Sequence, residues 1–195
     1  MSANSTIGLP TNHSSEARLH VESSPVEDND GMSVTIRNMM DGDWPTVERV
    51  YAAGIAGGSA TFASDPPTKQ DFFATRIAGL DLVAEVDGSV LGWAAATPTS
   101  DRDVYRGVIE HSVYVDPRAA GQGLGSALLE SLIEHSNDLG FWMLQASILP
   151  ENTASLHLHD KAGFRRVGRR ERIGYMTFGP HAGTWCDTIL VEKRL

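Results

Sequence analysis

Cysteine is all but missing from this sequence: Cys186 is the only one, so no disulfide can close within the chain. That excludes the small disulfide-stapled folds and suits a reducing compartment. Positive charge is short as well. The 16 Lys and Arg stand against 25 Asp and Glu, a net charge of -9, which opposes the broad cationic footprint that nucleic-acid binders present to phosphates. A small substrate or a cationic one is the expected partner, with no nucleic acid. No stretch approaches the ~18 apolar residues of a membrane span, and the opening "MSANSTIGLP" has neither the basic nor the apolar region of a secretion signal. The expected location is the cytoplasm, with no membrane partner. Repeats are absent too, and 195 residues with 41% hydrophobic content suffice for one sizeable core but crowd two.

What is present begins with a contrast. Residues 1–32 are rich in Ser, Asn, Asp, Glu and Pro without an apolar period, and are expected to form a disordered tail because they cannot offset their own ordering entropy. Residues 33–195 read as a single domain. "SVTIRNM" alternates like a first strand, and "DWPTVERVYAAGIA" follows with helical spacing, Asp43 as N-cap and Pro45 in the first turn. Thr68 and Asp71 imitate a capping box before a second helix. Asp87-Gly88, between two apolar alternating runs, predicts a hairpin turn with positive φ at both central residues. Next come the strand "GVIEHSVYV", a helix carrying Leu124, Leu128, Leu129, Leu132 and Ile133, and the strand "WMLQASIL". A short helix from Asn152 should stop at Gly163, before two last strands, "RRVGRRERIGYMTF" and "TWCDTILVEKRL". The order β α α β β β α β α β β is that of a layered α/β domain.

Between strand and helix lies "VDPRAAGQGLGSALLESL". A helix N-terminus offers unpaired N–H groups and a positive dipole end, and glycines let an anion approach that backbone closely. The dinucleotide fingerprint needs G-x-G-x-x-G, whereas Gly121, Gly123 and Gly125 give G-x-G-x-G, with no acid about twenty residues further on. A P-loop needs lysine before its Ser or Thr, and Gly125-Ser126 has none. Arg118-Ala-Ala-Gly121-Gln122-Gly123 instead resembles the R/Q-x-x-G-x-G/A signature of the GNAT superfamily of N-acetyltransferases. "SATFASDPPT", "DRDVYRGVIEHSVYV", "ILPENTASLHLHDKAGF" and "GTWCDTILVEKRL" extend the likeness across residues 33 to 195, to the phosphinothricin N-acetyltransferase branch.

The resemblance implies a GNAT fold, a mixed central sheet of about seven strands flanked by about four helices. It also implies acetyl-CoA as co-substrate and acetylation of the α-amino group of phosphinothricin, methionine sulfoximine or methionine sulfone in a homodimer. Arg118, Gly121, Gln122, Gly123, Leu124, Gly125 and Ser126 would then hold the CoA pyrophosphate. The backbones of Val113, Tyr114 and Val115 would meet the thioester and pantetheine, as a free strand edge can. Asn152, which can cap its helix, matches a residue that reaches the pantetheine arm in that family, and Ser155 is a second cofactor candidate.

Glu110 interrupts an apolar strand on the side of Ser112 and Tyr114. A half-buried carboxylate there can take the proton that an ammonium must lose before its nitrogen attacks a thioester. Glu110 also falls on the family's proposed catalytic glutamate. His159 matches a histidine once proposed as its partner, although Asp160 follows where Glu is usual; packing or capping competes with catalysis for this residue. Tyr175 is a candidate proton donor to the leaving thiolate. Phe62, Arg102 and Tyr105 match the family's acceptor contacts, with Val104 standing where that pattern has Ala. An Arg and a Tyr suit an amino-acid carboxylate. His157 and His159, two apart on a helix, diverge by about 200° and form no metal pair, so no metal is expected. Two other readings stay open: a polyamine or cationic-peptide acceptor, and a non-catalytic acyl-CoA-binding module.

Overall fold

Alternating apolar residues need cover on each face of a sheet, and this chain supplies it with helices on both sides. The computed structural model describes residues 33–195 and the backbone of residues 25–27. The strands are β1 (Pro25–Glu27), β2 (Ser33–Asn38), β3 (Asp81–Val86), β4 (Ser89–Pro98), β5 (Val108–Val115), β6 (Met143–Ile148), β7 (Arg165–Tyr175) and β8 (Trp185–Arg194). The helices are α1 (Trp44–Ala56), α2 (Lys69–Thr75), α3 (Leu124–Asp138) and α4 (Thr153–Lys161). One mixed sheet runs β1-β2-β3-β4-β5-β6-β8-β7. Every neighbouring pair is antiparallel except β5 and β6.

The order of elements is the expected one, with a strand added by β1, which pairs with Ser33 to Thr35 of β2. The rest of the tail expected over residues 1–32 lies outside the described residues. Asp87 and Gly88 take φ of 48° and 78°, the positive values that the hairpin turn required. Thr68 accepts the Asp71 N–H at 3.1 Å and opens α2 as read. Asp43 behaves differently. A 3-10 turn over Asp41–Asp43 runs straight into α1, so Asp43 already has helical φ and ψ, and its carboxylate caps no first-turn N–H. It turns back to Arg37 (2.7 and 3.0 Å) and to the Met40 N–H (2.7 Å). A strand-borne guanidinium outcompeted the helix end.

Successive residues of β4 feed two cores. Ala94 and Ala96 join Leu124, Leu128, Leu129 and Leu132 of α3, while Trp93 and Ala95 join Val47 and Val50 of α1 and Phe72 of α2. Each fully buried Leu contributes about 1.5–3 kcal/mol, so the α3 stripe anchors the sheet. Gly54, inside α1, is set by this packing. A Cβ there would stand 2.7 Å from the Tyr114 ring, which stacks on Trp93 at 4.6 Å. At the sheet's outer edge β7 is exposed almost throughout, and its arginines oppose strand addition by another chain.

Candidate active site

The site begins where a ladder stops. β5 and β6 pair in parallel only at Val108–Met143, Ile109–Leu144 and Glu110–Gln145. Beyond Glu110 they part, and a cavity of about 340 Å³ opens between His111–Val115 and Ala146–Leu149. That lies in the range of small-molecule sites. α4 closes one side with Asn152, Ser155 and His159, and Gly54 and Ala60 mark the side of α1.

Backbone alternation decides what β5 offers the cavity. The Asp116 N–H bonds the Leu91 carbonyl (2.7 Å) and the Thr99 N–H bonds the Val108 carbonyl (3.3 Å), so the even-numbered residues of β5 face β4. Val113 and Val115 therefore turn their N–H and C=O toward the splay. Tyr114 does not: its backbone belongs to the β4 ladder and its side chain to the core. Burial pushes its phenol up, and Tyr51 adds to the shift.

At the far end of β5, Gly121 and Gly123 adopt φ of 80° and 79°, which L side chains avoid, and a Cβ on either would stand in open space. The N–H groups of Leu124 and Gly125 open α3 with no carbonyl one turn behind them. A helix opening of this kind can receive an anion. The Leu124 side chain is core, and the Ser126 N–H is taken by the Gly123 carbonyl at 3.0 Å. Gln122 is exposed. Arg118 folds back on Asp116 (3.0 and 2.7 Å), which is 1% exposed and also takes Arg49 at 2.6 Å. Arg118 first, and Arg49 with it, hold the Asp116 carboxyl well below the usual carboxylate range. These bonds pin the start of the loop.

Asn152 both caps and bridges. Its Oδ1 accepts the Ser155 N–H at 3.1 Å, while its Nδ2 donates to the Ser59 carbonyl at 3.2 Å, tying α4 to the loop after α1. His159 is 3% exposed; its Nδ1 lies 2.7 Å from the Ser155 carbonyl and its Nε2 lies 2.9 Å from Nε2 of His111. A carbonyl only accepts, so Nδ1 carries the proton, Nε2 of neutral His159 is a lone pair, and His111 donates through Nε2. Burial lowers both imidazoles, that of His111 to about 3 with His159 adding to the effect. They are neutral at physiological pH, and both nitrogens of His159 are committed inside the fold. The sequence reading passed over His111, although the alternation that aims Glu110 to one face puts His111 on the other, among Ile109, Val113 and Val115.

Glu110 sits on the last paired rung, half-buried between Thr97 and Gln145. The remaining residues stand apart from the cavity. Arg102 and Tyr105 are exposed around the 3-10 turn Asp103–Tyr105 that leads into β5. Phe62 lies against β7, since a Cβ on Gly174 would meet its ring at 2.8 Å. Tyr175 is half-exposed on the sheet edge, its ring tilted on Trp185 at 5.2 Å. It does not line the cavity. Among the described residues no cluster of three or more His, Cys, Asp or Glu could hold a metal, and no helix is long and apolar enough to cross a membrane.

Comparison with known proteins agrees with this geometry. The model of the acetyltransferase (GNAT) family matches residues 45–164. Phosphinothricin N-acetyltransferase of Alcaligenes faecalis is 37% identical over 167 residues, 83% of this chain and 82% of that protein. The L-methionine sulfoximine/L-methionine sulfone acetyltransferase of Pseudomonas aeruginosa is 31% identical over 170 residues, 84% of this chain and 96% of that protein. Among solved structures, a GNAT superfamily phosphinothricin acetyltransferase from Sinorhizobium meliloti in complex with acetyl-CoA superposes with a TM-score of 0.74 at 31% identity, covering 83% of this chain and 88% of that one. A strand splay beside a glycine-opened helix, joined to likeness of this extent, carries the conclusion that the chain belongs to the acetyltransferase (GNAT) family.

Proposed function

We propose that this enzyme transfers the acetyl group of acetyl-CoA directly to the α-amino group of phosphinothricin-like amino acids, namely phosphinothricin, methionine sulfoximine and methionine sulfone. The observation that carries the reading is the break in β5·β6 pairing after Glu110, which opens the cavity from the next residue of the strand, His111, onward. The names of the related enzymes from Alcaligenes faecalis and Pseudomonas aeruginosa supply the acceptor class.

The residues present fit acetyl-CoA. The open N–H groups of Leu124 and Gly125 and the bare faces of Gly121 and Gly123 would hold the pyrophosphate, and the splay would take the pantetheine arm. Val113 offers an N–H to the thioester oxygen, where negative charge develops as nitrogen attacks. Glu110, directly or through water, takes the first proton from the ammonium. The C–N bond forms, the C–S bond breaks, and the second proton on nitrogen becomes available to the departing sulfur. No residue becomes acylated in this scheme; Cys186, half-buried on β8, is not among the residues lining the cavity.

Thiol release from acetyl-CoA, followed over these three acceptors, common amino acids and spermidine, tests the reading. Turnover with the α-amino acid analogues is expected. Release with spermidine alone would move the acceptor class to polyamines, and none with any amine would leave only the acyl-CoA-binding module.

A further inference from the structure

Among the described residues, Arg76 is a cation without an anion. It follows the last turn of α2, and the next residue is fastened to the sheet by the bond from the Ile77 N–H to the Ala96 carbonyl, at 3.0 Å. Ala96 precedes Thr97, which pairs with Glu110 across β4 and β5. The Arg76 guanidinium lies over the Phe72 ring at 4.5 Å, and its Nε is buried with no hydrogen-bond partner. No ion pair among the described residues includes it, whereas Arg37, Arg49, Arg106, Arg118, Arg165, Arg166 and Arg169 each hold a carboxylate. The ionisable groups that bear on it are the phenols of Tyr51 and Tyr114, whose rings lie 4.9 Å apart. Burial lowers the affinity of Arg76 for its proton without discharging it, since a guanidinium stays protonated in proteins.

A half-buried guanidinium with no counter-charge is costly, and a planar fork beside phenol donors is the arrangement that receives a carboxylate or phosphinate. The link to the cavity is Tyr114, which lines it together with Gly54, Ala60 and Ser112 and stands between it and Tyr51. We propose that Arg76, with the Tyr51 hydroxyl, binds an oxyanion of the acceptor, either its α-carboxylate or its side-chain phosphinate. Arg102, exposed on the other approach to β5, is then left for the second pole of a doubly acidic amino acid. The inference rests on the acetyltransferase reading above and narrows its acceptors to anionic ones.

Steady-state kinetics of Arg76→Met, Arg76→Lys and Tyr51→Phe test it with three acceptors. These are phosphinothricin, methionine sulfone, and the amine that methionine sulfone would give on losing its carboxylate. For Arg76→Met the acceptor KM is expected to rise roughly 10- to 100-fold, the worth of a hydrogen-bonded charge, with the KM for acetyl-CoA unchanged. Lysine should restore part of the loss, and Tyr51→Phe should show a smaller rise in the same parameter. A rise with phosphinothricin and methionine sulfone assigns the carboxylate, and a rise with phosphinothricin alone assigns the phosphinate. The decarboxylated amine should be used alike by variant and wild type. Equal loss with that amine, or acceptor KM values within twofold of wild type, overturns the proposal. Where Arg76→Met does not fold, Tyr51→Phe and rescue of Arg76→Ala by added guanidinium decide it, failure of both being the refuting result. A wild-type enzyme that releases no thiol with any of these amines refutes the acetyltransferase reading itself, before any variant is compared.

Discussion

Acid should loosen this protein through a buried imidazole, at a pH above that at which Asp43 and Asp116 lose their contributions. His111 is 4% exposed, donates to His159 and packs on Phe164 at 5.3 Å, and it is held at about 3 against an ordinary 6.5. Its folded-state value is depressed, so its contribution is whole above 6.5 and is lost as pH falls from there toward 3. Near pH 5 the unfolded chain binds almost a full proton at this residue and the folded chain almost none, a difference that integrates to about 2 kcal/mol. In a chain of this size that lowers Tm by about 4–8 °C. His159 is lowered in the same direction and adds to the loss. Asp43 and Asp116 are depressed from 3.8, so their contributions begin to be lost only near and below that value, under the pH of the comparison. The perturbation is His111→Gln, which keeps an N–H for the His159 lone pair and cannot take a proton. Thermal melts of wild type and variant at about pH 7.5 and about pH 5 should show the variant losing about 2 kcal/mol less between the two. Equal losses would mean that His111 is not the group that acid titrates.

The other expectations concern the reaction and the backbone. Glu110→Gln should lower kcat by roughly 10²-fold or more, with acetyl-CoA binding by calorimetry retained; unchanged turnover removes Glu110 from the chemistry. Gly123→Ala forces a Cβ into φ of 79°, at a strain of roughly 1–2 kcal/mol, and should raise the KM for acetyl-CoA more than that for the acceptor. Gly54→Ala sets helix propensity, a gain of about 1 kcal/mol, against a collision with the Tyr114 ring that costs about 1–3 kcal/mol. A lower urea midpoint is the expected balance, and a higher one would show that the ring yields freely.

Local chemistry made much of this molecule readable in advance. The Asp87-Gly88 turn, the opening of α3 behind the glycines at 121 and 123 and the alternation through Glu110 each depend on a few neighbouring residues, and each of these local structures is the one the sequence spells out. Hidden features were contacts between distant segments. The His111–His159 bond spans 48 positions, Gly54 is explained only by the ring of Tyr114, and Asp43 abandons its helix for Arg37. Arg102 and Phe62 are candidates by likeness, and their exposure, like that of Tyr175, on loops and edges follows from how the sheet's margin is built, which no local pattern encodes. The roles of Val113, Tyr114 and Val115 were separable in principle, because alternation applies to backbone groups as strictly as to side chains.

That alternation makes β5 a ligand gauge built into the chain. The amides of Ser112 and Tyr114 are locked in the β4 ladder, while those of Val113 and Val115 face the splay, so neighbouring residues should exchange hydrogen for deuterium at contrasting rates in the free enzyme. An occupant pairing with the strand edge slows only the odd-numbered amides. Under the proposed function that occupant is the donor, whose binding would then be followed residue by residue, without label, tag or turnover.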